Sequence, residues 1–415
     1  MNKRMLPAAL LALLLATLTL GSAQRQTLEV YITGLTEDTL DWFRDDAFPR
    51  FQESHPDVQL EILTGGWGDF DAAVAGWITT GDGPDIVYLG SEYAASYGEL
   101  LTDIDPYIGD WPDLEQFLPA ALATASWDGH LRGLPLLMSP RPMFYRRDLA
   151  ADPAAVPALT FEDSLAFVTA NTAVADGAVQ KMGFMDIGSG LFDAQEFIAY
   201  IWSAGGELYG ADGSSAFDSE QTAQALQFMY DRRRAVLPTE TTAGLPPVQG
   251  PPIASGLVIS GIFPMWNMPP TSDAIWNDIV IAPYPAGPGG QPLVQVFTDW
   301  LSVPAYVEDP ELAVEFLEFI GSRENAIELN SVAGFTPTRQ DAWAEIRAGS
   351  PVWSQMLDLA VENGRGFSDI RASAELRPLI VEQVSLFLSD QQSLADTQRF
   401  LKEEYDSILE DSGHL

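Results

Sequence analysis

Residues 81–87 read Gly81-Asp82-Gly83-Pro84-Asp85-Ile86-Val87. Two glycines and a proline around an aspartate make a turn, and Asp85–Leu89 after it has the composition of a short buried strand. Upstream, 71–79 has helical spacing, while Val58, Leu60 and Ile62 alternate onto one side over 58–63, which is strand periodicity. Further back, Leu40, Phe43, Ala47 and Phe51 recur at helical spacing between Glu37 and Ser54. Pro49 predicts a kink or break in that helix. Leu28, Val30 and Ile32 mark a strand over 27–33. Strand, helix, strand, helix, strand in this order predicts a parallel, doubly wound sheet with helices on both faces.

The same rhythm resumes downstream. Thr160 stands as N-cap of a helix over 161–171, with Asp163 completing a capping box. Ser219 opens another helix that ends in Arg232-Arg233-Arg234, cations suited to a solvated, negative helix C-terminus. Asp309-Pro310 starts a third, whose core stripe is Ala313, Phe316, Leu317 and Ile320. Residues 351–363, 374–388 and 393–410 read as a helical C-terminal portion, and Pro/Gly-rich stretches at 244–252 and 283–290 interrupt the pattern.

Residues 1–23 have the form of an export signal: Lys3 and Arg4, an apolar run from Leu6 to Leu20, then Gly21-Ser22-Ala23. Cleavage is expected between Ala23 and Gln24. Losing two bases and no acid takes the formal charge from −38 to −40 over the remaining 392 residues. So acidic a chain is unsuited to nucleic acid or to an anionic membrane surface, both of which need clustered Lys and Arg. With 47% apolar residues it still has ample material for packed cores. There is no cysteine, which removes thiol nucleophiles, disulfides and a lipidated N-terminal Cys. An exported chain without a tether is expected to diffuse in a periplasm.

Signatures of enzyme chemistry are missing. There is no G-x-S-x-G turn, no phosphate-binding G-x-x-x-x-G-K-S/T loop and no H-E-x-x-H. His55, His130 and His414 are far apart, so no metal site is expected, and the acids from Asp103 to Asp113 lack the spacing of a calcium loop. No cofactor is implied. The sequence reads as a binder, not a catalyst.

The 81–87 turn resembles the G-x-x-P-D-I/V segment of extracellular solute-binding proteins that serve ABC-type sugar importers, the maltose-binding-like family. Other stretches resemble it in family order: Phe51 to Leu60 (F-x-x-x-H-P-x-V-x-L), Leu100-Leu101-Thr102-Asp103-Ile104, Gly133-Leu134-Pro135 with Phe144 to Leu149, and Gly205-Gly206 with Ala216-Phe217-Asp218. Pro264-Met265-Trp266, Ile281 to Gly290 and Gly334 to Arg339 follow. Two places depart from the pattern: Arg146-Arg147 stands where Asn-Lys is usual, and Thr298-Asp299-Trp300 where glycines precede an aromatic.

The resemblance implies an α/β protein of the type II periplasmic-binding kind: two doubly wound lobes joined by a three-strand hinge, with a ligand cleft between them. Crossings are expected near 136–140, 296–301 and 333–345. They give an N-terminal lobe of 24–137 plus 298–335 and a C-terminal lobe of 138–297 plus 336–415. It further implies a monomer that captures a carbohydrate and delivers it to the membrane permease of an ABC importer. A polyamine, a phosphorylated polyol or another polar solute is the alternative.

A sugar is held by flat aromatics on its C–H faces and by acids, amides and Arg on its hydroxyls. Trp67, Trp266 and Trp300 are the aromatic candidates. Glu92 and Tyr93 follow the buried strand at its carboxyl end. Ser139 and Arg141 lie at the first crossing and Asp299 at the second. Asp193 precedes the helix before Gly205-Gly206, and Arg371 lies in the loop 364–371.

Overall fold

The computed structural model describes residues 26–186, 194–238, 245–367 and 369–415. The expected export signal over 1–23, its cleavage point and Asp193 lie outside these residues.

Strand Gln26–Thr33 pairs in parallel with Val58–Gly65 on one side and with Ile86–Gly90 on the other. These are the three strands that the 81–87 turn and its upstream rhythm predict. The two helical stretches that connect them carry the crossovers that parallel pairing demands. The second of these helices, Trp67–Thr80, begins four residues before the expected 71, and Gly81 stops it at φ 66°. A left-handed residue there suits glycine, which has no Cβ to clash.

Beyond Ile86–Gly90 the sheet changes direction. Val294–Ser302 runs antiparallel to it and to Gly133–Arg141, and Thr336–Pro337 adds the outer edge. Val294–Ser302 is longer than its neighbour. Its second half, from Asp299, pairs with Ile86–Gly90, while Val294–Val296 pairs with Gly364–Gly366. One continuous strand therefore serves two sets of neighbours.

A second sheet orders Ser260–Ile262, Met143–Arg146 and Ile279–Ala282, all antiparallel. The expectation of a doubly wound second sheet is corrected here. Met143–Arg146 is the central strand, and both of its neighbours run against it. Among the described residues, parallel pairing in this part of the chain comes from the isolated bridges Thr160–Ala286, Met182–Val258 and Met185–Gly261.

Buried apolar side chains gather in two clusters. One draws on Leu28 to Leu137 and Trp300 to Phe335. The other draws on Met138 to Phe297 and Ile346 to Leu409.

Two local readings need revision. The 37–54 helix does not break at Pro49; a π turn, Phe43–Ala47, sits between Glu37–Trp42 and Phe48–Ser54. Pro49 has no N–H to donate back to Asp45, and the wider turn just before it absorbs that missing rung. Arg232 is not solvated: it is 1% exposed, its Nη1 lies 2.7 Å from Glu196 Oε1, and its guanidinium stacks 3.9 Å from the Phe184 ring centre. Helix Glu220–Val236 packs one face on Ala194–Ser203, and Arg232 falls on that face along with Ala225, Phe228 and Met229.

Candidate functional site

A cavity of about 340 Å³ opens where the two clusters meet. One wall comes from the carboxyl ends of parallel strands, the usual ligand position in an open α/β sheet. Thr33 ends Gln26–Thr33 with Gly34 and Leu35 after it, and Gly90 closes Ile86–Gly90. Glu92 sits in the 3-10 turn Ser91–Tyr93 and is 8% exposed. A Cβ at Gly90 would stand 2.7 Å from Glu92 Oε2, so the glycine leaves room for that carboxylate.

The floor is made by the two long antiparallel strands. Alternation puts residues i and i+2 on one face of a strand. Ser139 and Arg141 therefore lie beside Phe297 and Asp299, with Ser139 paired to Phe297, and all four line the cavity. Trp300 points the other way. It is fully buried in the first cluster, its Nε1–H donates to the Gly90 carbonyl at 3.0 Å, and its ring fills the space a side chain at Gly133 would take. Trp300 is thus a packing residue and not a cavity residue, a correction that follows from its odd register beside Asp299.

The opposite wall comes from the second cluster's helices. Gln195, in the first turn of Ala194–Ser203, accepts a hydrogen bond from Arg141 Nη1 at 2.9 Å. The Arg141 guanidinium also lies flat over Phe297, 3.8 Å from its centroid. Behind them, Tyr284 donates to Gln295 Oε1, and Gln295 Nε2 donates to the Gln195 carbonyl. That buried chain fixes the Gln195 turn against the floor. Arg377, on Ser373–Leu388, brings its Nη1 to 3.9 Å from Glu92 Oε1.

Asp299 is the electrostatic centre of the floor. The Tyr88 hydroxyl donates to its Oδ2 at 2.9 Å. Burial pushes its pKa up to about 7; the Tyr88 bond lowers it, Glu92 nearby raises it and Arg141 lowers it. Burial, and then the Asp299 carboxylate, hold the Tyr88 phenol well above its ordinary value. The cavity therefore offers acceptors and donors beside the aromatic side chains of Phe297 and Phe335, with the Phe297 ring already covered by Arg141 and Phe367.

Other residues singled out from sequence fall elsewhere. Tyr93 is 2% exposed and packs between Phe70 and Tyr97 inside the first cluster, because the third residue of its turn faces inward. Arg371 lies over the Tyr209 ring at 4.4 Å, and its Nη1 donates to the His414 carbonyl at 3.4 Å, holding the chain's end. Trp67 opens a helix where a loop was expected, and Trp266 lies in the turn Met265–Asn267; both side chains are outside the described set. Tyr88, Phe297, Phe335 and Arg377 were missed. Phe297 was legible as the i−2 neighbour of Asp299, and Arg377 precedes Pro378 inside a helical run, a local irregularity. The fold also brings His130 to 2.9 Å from Asp103 and 3.3 Å from Asp105, a surface cluster that linear spacing hides.

Residues 34–327 match the family model described as bacterial extracellular solute-binding protein. The arabinooligosaccharide-binding protein of Bacillus subtilis (strain 168) is 24% identical over 394 residues, covering 87% of this chain and 89% of that protein. An ABC transporter solute-binding protein from Thermotoga lettingae, bound with alpha-D-tagatose, superposes with a TM-score of 0.77 at 18% identity over 92% of this chain and all of that one. The maltose/maltodextrin-binding domain from Bdellovibrio bacteriovorus, bound to maltotriose, gives 0.75 at 15% identity over 93% and 100%. Among the described residues no helix is long and apolar enough to cross a membrane. A match over most of the chain, together with this mixed α/β fold, makes the protein a member of the bacterial extracellular solute-binding family, whose members bind solutes and do not transform them.

Proposed function

We propose that this chain is the capture component of an ABC importer for a sugar, an oligosaccharide in particular, and that two lobes close around the ligand at the 340 Å³ cavity. The observation that carries the reading is the make-up of that cavity: Glu92 and Asp299 join Ser139, Arg141 and Gln195 around Phe297, with walls drawn from both hydrophobic clusters. Hydroxyls need paired donors and acceptors, and sugar C–H faces need flat rings. The arabinooligosaccharide-binding relative and the sugar-bound structural neighbours lend support.

The lobes of this reading are 24–137 plus 298–335 and 138–297 plus 336–415. The division of buried side chains between the two clusters supports these bounds. The hinge would be Gly133–Arg141 and Val294–Ser302, with the chain crossing again near 333–345; the change of partners along Val294–Ser302 supports a pivot between Val296 and Asp299. Trp67, Trp266 and Asp193 stay as proposed contributors. Export by a cleaved signal places the protein in the periplasm as a monomer, and its acceptor is the importer's membrane permease. A cationic polyamine is opposed by Arg141 and Arg377 in the same cavity.

Thermal unfolding against a panel of mono- and oligosaccharides tests the reading. A true ligand at a hundred times its Kd stabilises by about 2.7 kcal/mol. An upward shift in Tm with one group of sugars is expected. A shift with putrescine and with no sugar would overturn it.

A further inference from the structure

Nineteen Lys and Arg follow the expected cleavage point against 59 acids, and two of them converge on one cavity. Arg377 shares with Arg147 and Arg233 a guanidinium that makes no hydrogen bond among the described residues, and of these three it is the one that lines the cavity. Elsewhere Arg50, Arg146, Arg232 and Arg339 each donate hydrogen bonds to carboxylates within 3.0 Å. The acid oxygen nearest to Arg377, on Glu92, is at 3.9 Å, and the Arg377 side chain is 42% exposed. A guanidinium carries five N–H donors in a planar fork that matches an oxyanion. Here that fork faces a cavity whose other cation, Arg141, is steadied by Phe297 and Gln195.

Resting on the sugar-capture reading above, we propose that the preferred ligand is an oligosaccharide bearing an anionic group, and that Arg377 is the residue that selects it. Glu92 stands near the fork in this state and takes hydroxyls, while the ligand's oxyanion occupies the side of the fork away from Glu92. Burial, and Glu92 nearby, raise the Asp299 pKa, which favours its neutral form and makes the cavity less negative than its count of acids suggests. The chain's overall charge does not forbid this, because at about 0.15 M salt charges beyond roughly 8 Å are screened. A uronic-acid carboxylate and a sugar phosphate present the same oxyanion chemistry.

The test is calorimetric titration at that ionic strength with matched ligands: a neutral oligosaccharide, its counterpart oxidised to a uronate, and a phosphate-bearing sugar. The wild-type chain is expected to bind one of the anionic forms at least tenfold more tightly than the neutral form, and which one wins identifies the oxyanion. In Arg377→Gln that ratio is expected to collapse to within about twofold of unity, and Arg377→Lys is expected to keep part of it. Equal or tighter binding of the neutral sugar by the wild type, or an equal loss for neutral and anionic ligands in Arg377→Gln, would overturn the proposal while leaving sugar capture intact. Binding of no sugar of either kind would overturn both.

Discussion

Asp299 carries a pH dependence whose sign follows from its surroundings. Its pKa is raised in the folded chain to about 7, so the fold holds a proton that the unfolded chain releases near 4. Its contribution to stability is therefore greatest at low pH, falls as pH rises through that window, and is lost above about 7. Asp299→Asn keeps a neutral side chain throughout. Unfolding free energies of variant and wild type, from urea titrations, are expected to be close at pH 3 and to diverge as pH rises, with the variant ahead at pH 8 by on the order of 4 kcal/mol. Arg232→Met makes a second residue-scale prediction. It strands Glu196, 3% exposed, without its cation, and about 3–5 kcal/mol of stability is expected to be lost in denaturant unfolding. The sequence carries enough to place Glu92, Ser139, Arg141 and Asp299 at the cavity, because each lies at a strand end or on a crossing strand. It misplaces Trp300, Tyr93 and Arg232, whose inward or outward facing depends on which neighbour packs against them. Nothing local marks Arg377 as a cavity residue, since its helix is brought there only by packing of the second cluster.

At the scale of elements, capping and alternation translate directly into structure. Thr160 Oγ1 accepts from the Asp163 N–H at 3.1 Å, and Ser219 Oγ accepts from the Thr222 N–H at 3.2 Å. Thr160→Ala is expected to lower stability by about 1 kcal/mol, read as a lower urea midpoint with an unchanged slope. Periodicity is a one-dimensional signal, so it locates the strands at 26–33, 58–65 and 86–90 to within a residue or two. It says nothing of the partners that make Ile86–Gly90 pair with a strand two hundred residues later. The antiparallel second sheet and the π turn ahead of Pro49 are of that second kind. The first depends on which way a chain returns, and the second on how a helix accommodates a missing donor.

The whole molecule has an acid excess of 38 charges that the cavity does not need. Most of it is exposed, and self-repulsion of this kind weakens a compact state. Raising NaCl from roughly 0.01 to 0.15 M shortens the Debye length to about 8 Å and is expected to raise Tm by a few degrees; a fall would mean that surface ion pairs outweigh repulsion. The central claim, that the ligand sits at this cavity, is tested most directly by titrating the tightest-binding sugar of the panel into the wild type and into Ser139→Trp. Ser139 is on the cavity floor opposite Phe297, and an indole there takes up cavity volume. The account predicts a single saturable site in the wild type and at least a hundredfold loss of affinity in the variant, whose ligand-free chain still unfolds in a cooperative transition. Undiminished affinity in a folded Ser139→Trp would contradict it.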